Sequence, residues 1–217
     1  MLFMSEDEQL IRIKLGGRSA VLPAGITGRI GKSWASGCFY ESGVLKHIRS
    51  LKLEGTYIDV GMNRGNHTLF FAKMCNSEEV LSFEPYLQHI VKAEKLLELN
   101  KIRHKVKIFN LALAEKQARI DLSIRNRRTS AITVRLDDIA PKGISLIKID
   151  VEGAEASVLR GATNTIKRDK PFLIVEIFDE FLDEMTEFIE NLGYKRGRKF
   201  KSPTYEFAPI NTNLKNY

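Results

Sequence analysis

Thr56-Tyr57-Ile58-Asp59-Val60-Gly61-Met62-Asn63-Arg64-Gly65-Asn66, followed at Val80-Leu81-Ser82-Phe83-Glu84-Pro85 by a second apolar run ending in an acid, decides the fold. Tyr57, Ile58 and Val60 suit a buried strand, and Gly61 and Gly65 permit a tight turn with close backbone approach. Asn66-His67-Thr68 can cap a helix whose N-terminus faces a ligand. Val80 to Phe83 reads as the neighbouring parallel strand, stopped by Pro85. Gly61 and Glu84 then stand side by side at the carboxyl edge of a sheet, where α/β folds hold nucleotide-type ligands.

Working outward, strand and helix signals alternate, which predicts a mostly parallel sheet with helices on both faces. Toward the N-terminus, Arg12 to Leu15 and Ser19 to Leu22 flank Gly16-Gly17 as a small hairpin. Gly25 to Gly43, with Trp34, Phe39 and Tyr40, reads as a cover over the pocket, and Tyr40 to Leu53 as a helix entering the core domain. Toward the C-terminus, helices are expected over Thr68 to Met74, Leu87 to Leu99, Ala154 to Thr165 and Asp183 to Leu192. Further core strands are expected at 106–109, 146–151 and 172–177, with 120–124 and 131–136 as a pair. Tyr194 to Phe200 and Thr204 to Ala208 form a closing antiparallel pair. The division expected is a hairpin and cover over residues 1–40 and one α/β domain over 41–217.

The departures from the dinucleotide fingerprint indicate the cofactor. That fingerprint wants glycines at positions equivalent to 61, 63 and 66, so that a pyrophosphate can reach the helix N-terminus. Positions 63 and 66 are asparagines here. With that approach obstructed and a carboxylate at Asp59, the loop suits a ligand carrying an amino acid and a sulfonium charge, such as S-adenosylmethionine. Glu84 lies near the spacing at which an acid accepts hydrogen bonds from ribose hydroxyls.

The 217 residues fit a single domain, and 43% apolar content can fill one core. There is no run of about 18 apolar residues, and Met1-Leu2-Phe3-Met4-Ser5-Glu6-Asp7-Glu8 is acidic where a secretory signal would be basic and then apolar. A cytoplasmic protein without a membrane partner is the expectation. Cys38 and Cys75 lack any paired spacing, which predicts two buried free thiols rather than a disulfide or zinc site. The net charge of +7 favours an anionic partner or substrate. Basic residues gather at Arg125, Arg127 and Arg128, in one expected loop, and again from Lys195 to Lys201. A solvated surface is the commoner reason for such runs.

The chain resembles the FkbM family of S-adenosylmethionine-dependent methyltransferases, of the broad class I type with a Rossmann-like core. The resemblance spans roughly Tyr40 to Ile177 and rests on ordered motifs. These are the 57–66 loop, Phe83-Glu84-Pro85, Asn110-Leu111-Ala112-Leu113, Arg135-Leu136-Asp137-Asp138, Ile147-Lys148-Ile149-Asp150-Val151-Glu152-Gly153-Ala154-Glu155 and Val158-Leu159-Arg160-Gly161-Ala162. Met62, where the family usually has a small residue, would narrow the pocket, and Arg135 stands where a threonine is usual. The resemblance implies transfer of a methyl group to a hydroxyl of a sugar, glycan or secondary metabolite. It further implies that Asp59, Gly61, Asn63, Gly65 and the adjoining Asn66 hold the methionine portion. Glu84 with Pro85 would hold the ribose, and the Asn110 to Ala112 turn the adenine side.

An alcohol is a poor nucleophile, so a positioned base is expected beside the donor. Asp150 and Glu152, two positions apart at the end of the fourth core strand, could point to one side of the cleft. Asp150 would also border the cofactor. Structural roles weigh equally, with Asp150 capping the next helix and Glu152 accepting backbone donors. His67 follows the glycine loop and is a further candidate base. Glu176 could line the acceptor side. His47, His89 and His104 read as surface residues. No dedicated ligand spacing predicts a metal.

A nucleic-acid methyltransferase using the basic loops is the second reading. The absence of an Asn/Asp-Pro-Pro-aromatic motif after the fourth strand, where Asp150-Val151-Glu152-Gly153 stands, counts against it. A non-catalytic nucleotide-binding module of the same fold is the third. The sequence leaves the oligomeric state open, and a homo-oligomer is compatible with it.

Overall fold

A computed structural model describes residues 9–124 and 127–210, with only the backbone at Ser123, Ile124, Arg127 and Arg128. The chain opens with β1 (Leu10–Leu15) and β2 (Arg18–Pro23), an antiparallel hairpin in which Leu15 faces Arg18 across Gly16-Gly17. Both turn glycines have positive φ, as the tight hairpin turn requires. Helices α1 (Gly28–Ala35) and α2 (Ser42–Ser50) follow, the second burying Val44, Leu45 and Ile48 on one face.

The αβ core then runs β3 (Glu54–Val60), α3 (Asn66–Met74), β4 (Asn76–Phe83), α4 (Leu87–Leu99), β5 (Val106–Phe109) and β6 (Ala112–Leu113). After it come β7 (Ala118–Ile124), β8 (Arg127–Val134), α5 (Leu136–Ile139), β9 (Ile144–Ile149), α6 (Glu155–Gly161), α7 (Thr163–Asp169) and β10 (Phe172–Glu176). The chain closes with α8 (Leu182–Asn191), β11 (Tyr194–Lys199) and β12 (Thr204–Pro209).

Seven strands form the main sheet in the order β11-β12-β10-β9-β3-β4-β5. From β10 to β5 neighbouring strands are parallel, while β12 pairs antiparallel with both β10 and β11. The chain leaves β3 toward β4 and β5, then returns to place β9 on the other flank of β3. That reversal is the switch point at which ligands bind in open α/β sheets. The mixed sheet with its antiparallel closing pair is the Rossmann-like arrangement the motifs predict.

Period-two alternation sends Tyr57 to one face, with Leu69, Phe70 and Phe71 of α3, and Ile58 and Val60 to the other, with Val158, Leu159 and Ile166. The N-terminal hairpin is not a separate body. Ile13, Ala20 and Leu22 share the first of those clusters with Trp34, Phe39, Phe70 and Leu97.

Four expectations need correction. Residues 154–165 make two helices, because α6 ends at Gly161, where a Cβ would lie 2.1 Å from the Ala114 carbonyl oxygen. Within the expected loop from Arg125 to Ser130, residues 127–130 instead belong to β8 and pair with β7; Arg125 lies outside the described residues. Cys38 is exposed, and only Cys75 is buried, where desolvation pushes its thiol up to about 12. Met62 does not narrow the cleft but packs against Ile90 and Ala93 under α4. Of the basic run near the C-terminus, Lys195, Arg196, Arg198 and Lys199 lie on β11, an edge strand exposed from Lys195 to Lys199, where lysines and arginines discourage edge-to-edge pairing. Among the described residues no helix is long and apolar enough to cross a membrane.

Candidate active site

Gly61 and its neighbours turn sharply away from the end of β3. Gly61 has φ 80°, and a Cβ there would meet the Asp150 carbonyl oxygen at 1.8 Å, so only glycine lets β3 and the segment after β9 approach this closely. The amides of Gly61 and Met62 both donate to the Phe83 carbonyl, tying the loop to β4. Asn63, in the left-handed region with φ 53°, donates its amide to Glu84 Oε2 at 2.8 Å. Glu84 Oε1 accepts from the Tyr86 amide at 2.9 Å. The acid is thus held rigidly at the tip of β4 by two backbone donors, which leave further lone-pair positions on its oxygens. Asn110, just beyond β5, donates Nδ2 to the carbonyls of Glu84 and Pro85 and so fixes the same corner. Ala112 opens β6 beside Thr133 of β8.

Asp59 is wholly buried on the α3 face. Its Oδ2 accepts from Thr68 Oγ1 at 2.6 Å, and Lys148 Nζ stands 3.4 Å from Oδ1. That oxygen has no hydrogen bond, so the second contact is a coulombic one. Lys148 also stands 3.3 Å from Asp150 Oδ2 and donates to the Gly61 carbonyl at 3.2 Å. Burial opposes the charge on Lys148, but Asp150, Asp59 and Glu41 outweigh it and hold the ammonium above its ordinary value. Asp59 is therefore committed inside the protein, and its reach toward the cleft runs through Lys148.

Asn66 is committed too. Its Oδ1 accepts from Trp34 Nε1 at 2.9 Å and from the Tyr40 amide at 3.1 Å, and its Nδ2 donates to the Tyr40 carbonyl. It clamps Trp34 of α1 and the backbone of Tyr40 onto α3, whose N-cap is Gly65. Glu41, which follows Tyr40, has φ 54° and sits ahead of α2. Its Oε2 lies 3.2 Å from His67 Nε2, both side chains nearly buried.

On this side a cavity of about 10 Å³, room for about one water, is lined by Glu41, His67, Lys148, Asp150, Glu176 and Thr204. Burial would raise Asp150, but Lys148, a hydrogen bond with Glu176 and the His67 charge outweigh it and hold the carboxyl below the usual range. Glu176 moves the other way. Burial, the Asp150 charge and the same hydrogen bond push it up to about 8. The pair thus shares one proton near neutrality, with the negative charge on Asp150. Burial also acts to raise Glu41, yet the hydrogen bond with His67 and the charges of His67 and Lys148 leave it below its ordinary value.

A stability consequence follows. Glu176 is protonated in the folded chain and ionised in the unfolded one from its ordinary range up to about 8, so its contribution to stability falls as pH rises through that window. Glu176→Gln removes this dependence. Its melting temperature should gain on that of the parent by about 5 °C between pH 5 and pH 8. Parallel melting curves across the window would show that Glu176 ionises normally.

Asp150 and Glu152 do not share a strand face as alternation suggested, since β9 ends at Ile149. Glu152 is exposed with φ 58°, and its charge acts on Glu176. Neither acid caps α6. The helix has no side-chain cap, and the buried Glu155 at its start instead accepts the amides of Val151 and Gly153 on Oε1, fixing the turn before it. His47 and His89 are not free surface residues: His47 pairs with Glu206, and His89 Nδ1 lies 3.3 Å from Glu84 Oε1. His104 is exposed. Lys148 and Glu41 escaped sequence reasoning. A lysine between isoleucines in a core strand, with Asp59 and Asp150 as the available counter-charges, was a usable signal for the first; the sequence held none for Glu41.

Residues 59–196 match the family model of the methyltransferase FkbM domain. Among solved structures, methyltransferase FkbM from Methylobacillus flagellatus is 20% identical with a TM-score of 0.61, covering 70% of this chain and 43% of that one. The chain thus spans less than half the length of that protein. An rRNA methylase from Streptococcus thermophilus aligns at 17% identity and TM-score 0.51 over 73% of this chain and 88% of its own. A Pyrococcus abyssi tRNA (uracil-54, C5)-methyltransferase in complex with S-adenosyl-L-homocysteine aligns at 13% identity and TM-score 0.51, over 91% of this chain and 43% of its own. No curated protein matches the sequence. These structural likenesses establish the fold, and the family model, which covers well over half of the sequence, establishes that the chain belongs to the methyltransferase FkbM family.

Proposed function

We propose that the chain is an S-adenosylmethionine-dependent O-methyltransferase acting on a hydroxyl of a sugar, glycan or secondary metabolite. The observation that carries this reading is the meeting of an ionised acid, Asp150, with Glu176, Glu41 and His67 at the carboxyl edge of β9 and β10, one strand from the Gly61 loop and two from Glu84. The residues present fit the cofactor. Glu84 is anchored yet keeps lone pairs for ribose hydroxyls, and the glycine loop turns beside the N-terminus of α3, which favours a carboxylate.

When bound, S-adenosylmethionine would supply an electrophilic methyl group on a sulfonium. Asp150 would accept the acceptor's hydroxyl proton as oxygen attacks, while Lys148 beneath it keeps the carboxylate ionised until then. Glu176 would hold its own proton against Asp150 and orient it, and Glu152 would border the entrance. His67, paired with Glu41, would stand as a second basic group on the same wall. Asp59 would act on the loop through Lys148.

Several carboxylates around one cleft favour an acceptor rich in hydrogen-bond donors, such as a polyol. They oppose a phosphate backbone despite the chain's net charge of +7, which weighs against the nucleic-acid reading. The test is calorimetric titration with S-adenosylmethionine and S-adenosylhomocysteine, with NAD as control. Micromolar binding of the first two is expected, weakened at least about 100-fold by Glu84→Ala, which removes the ribose acceptor and leaves the amides of Asn63 and Tyr86 unpaired. A folded protein that binds neither would refute the reading and leave a non-catalytic module.

A further inference from the structure

Around Asp150 the other charges are committed. Glu41 pairs with His67, Glu176 holds a proton, and Lys148 lies buried between Asp59 and Asp150. Arg29, in the first turn of α1, differs from them. It is exposed, and among the described residues it makes no ion pair. Its guanidinium instead hydrogen-bonds the phenol of Tyr40, a neutral group. A guanidinium presents five N–H donors in a planar fork, so one phenol leaves most of them for a ligand.

Tyr40 is placed by its backbone. Its amide and carbonyl both bond the Asn66 side chain at 3.1 Å, which fixes the residue at the start of α3, and Glu41, next along the chain, lines the cavity with Asp150. Burial and then the Glu41 charge raise the half-buried phenol above its ordinary value, Asp150 adds to the rise, and Arg29 opposes it. The phenol therefore lies within electrostatic reach of both the base and the guanidinium. Asp150 itself is 30% exposed, open to an incoming hydroxyl.

We propose that Arg29, held by Tyr40, binds a carboxylate of the acceptor, and that the substrate class is a polyhydroxy acid such as an acidic sugar. The inference rests on the methyl-transfer reading above, with Asp150 as the base. Asp150, Glu41 and Glu152 repel an anion at the reacting hydroxyl, so an anionic acceptor must carry its charge away from them, on the exposed guanidinium. A single planar fork matches one carboxylate in bidentate fashion. A phosphate monoester, with nearly twice the charge, would want a second cation. Anchoring the acid at Arg29 also restricts how the remaining hydroxyls meet Asp150, which is where selectivity among them would arise. The cofactor carries a carboxylate too, and the test separates the two.

Matched acceptors that differ by a carboxylate in place of a hydroxymethyl group, methyl hexuronides against methyl hexosides and aldonic acids against alditols, are offered with S-adenosylmethionine. S-adenosylhomocysteine binding is measured by calorimetry on the same proteins. In the parent at least one acid should exceed its neutral counterpart in kcat/KM by about tenfold or more. Arg29→Gln should remove that preference through KM, raising it about tenfold or more for the acid, and Arg29→Lys, which keeps the charge without the fork, should recover part of it. Arg29 is exposed, so both variants should melt within about 2 °C of the parent, and both should bind S-adenosylhomocysteine within about threefold of it. A panel in which no acid exceeds its neutral counterpart, absence of turnover included, would overturn the inference and leave the cofactor reading in place. A preference that survives Arg29→Gln would overturn it as well. Affinity for S-adenosylhomocysteine lowered about tenfold by Arg29→Gln would assign the guanidinium to the cofactor's own carboxylate, against the inference. A parent chain that binds no S-adenosylhomocysteine would instead refute the methyltransferase reading, and this inference with it.

Discussion

Lys148→Met is expected to lower the melting temperature by about 10 °C, because it removes one partner of a buried ion pair and strands the other. Lys148 is 4% exposed and Asp59 is fully buried between the sheet and α3. After the substitution Asp59 keeps the Thr68 hydroxyl on Oδ2, while Oδ1, which has no hydrogen bond, loses the ammonium now 3.4 Å away. An uncompensated buried carboxylate costs about 3–5 kcal/mol, and for a chain of this size each kcal/mol moves the midpoint by about 2–4 °C. The Gly61 carbonyl also loses its donor, which loosens the Gly61 loop. The double variant Asp59→Asn/Lys148→Met should recover much of the loss, since a neutral amide can still accept from Thr68. Calorimetric melting checks both, and a single variant within about 2 °C of the parent would show that the pair contributes nothing net.

Asp150→Asn is expected to slow methyl transfer by about a hundredfold to ten-thousandfold, the range that a positioned general base contributes. The change is isosteric and should leave the fold intact. Lys148 retains Asp59 as counter-charge, and an amide can still hydrogen-bond Glu176. Affinity for S-adenosylhomocysteine should stay within about threefold of the parent, because Glu84 and the Gly61 loop are untouched. Glu152→Gln should cost far less, since that residue is exposed and does not line the cavity. The measurement is product formation with an acceptor found by screening polyols and glycosides. A parent-like rate in Asp150→Asn would shift the base to the pair of His67 and Glu41.

Where order is local, the sequence was a sufficient guide. Leu87 to Leu99 and Val106 to Phe109 have the bounds that periodicity predicts, and the N-terminal hairpin follows from two turn glycines between alternating segments. Gly61 and Glu84 are also legible, because a turn at the end of one parallel strand and an acid at the end of the next need only strand order to become neighbours. Where the partner of a polar group lies far along the chain, periodicity is silent. Asn66 looks like a helix cap but spends its amide on Trp34 and Tyr40, and Glu41 meets His67 only because that clamp fixes the backbone beside it.

The sequence by itself determined the α/β alternation, the glycine turn and the acids at the strand ends, since each depends on side-chain period and backbone freedom within a few residues. The tertiary structure alone decided which charges pair. Burial between β3, β9 and α3 joins Asp59 to Lys148 and Lys148 to Asp150, and leaves Asp150 ionised with Glu176 holding a proton. Those outcomes depend on desolvation and on distances across the sheet, which no local pattern encodes.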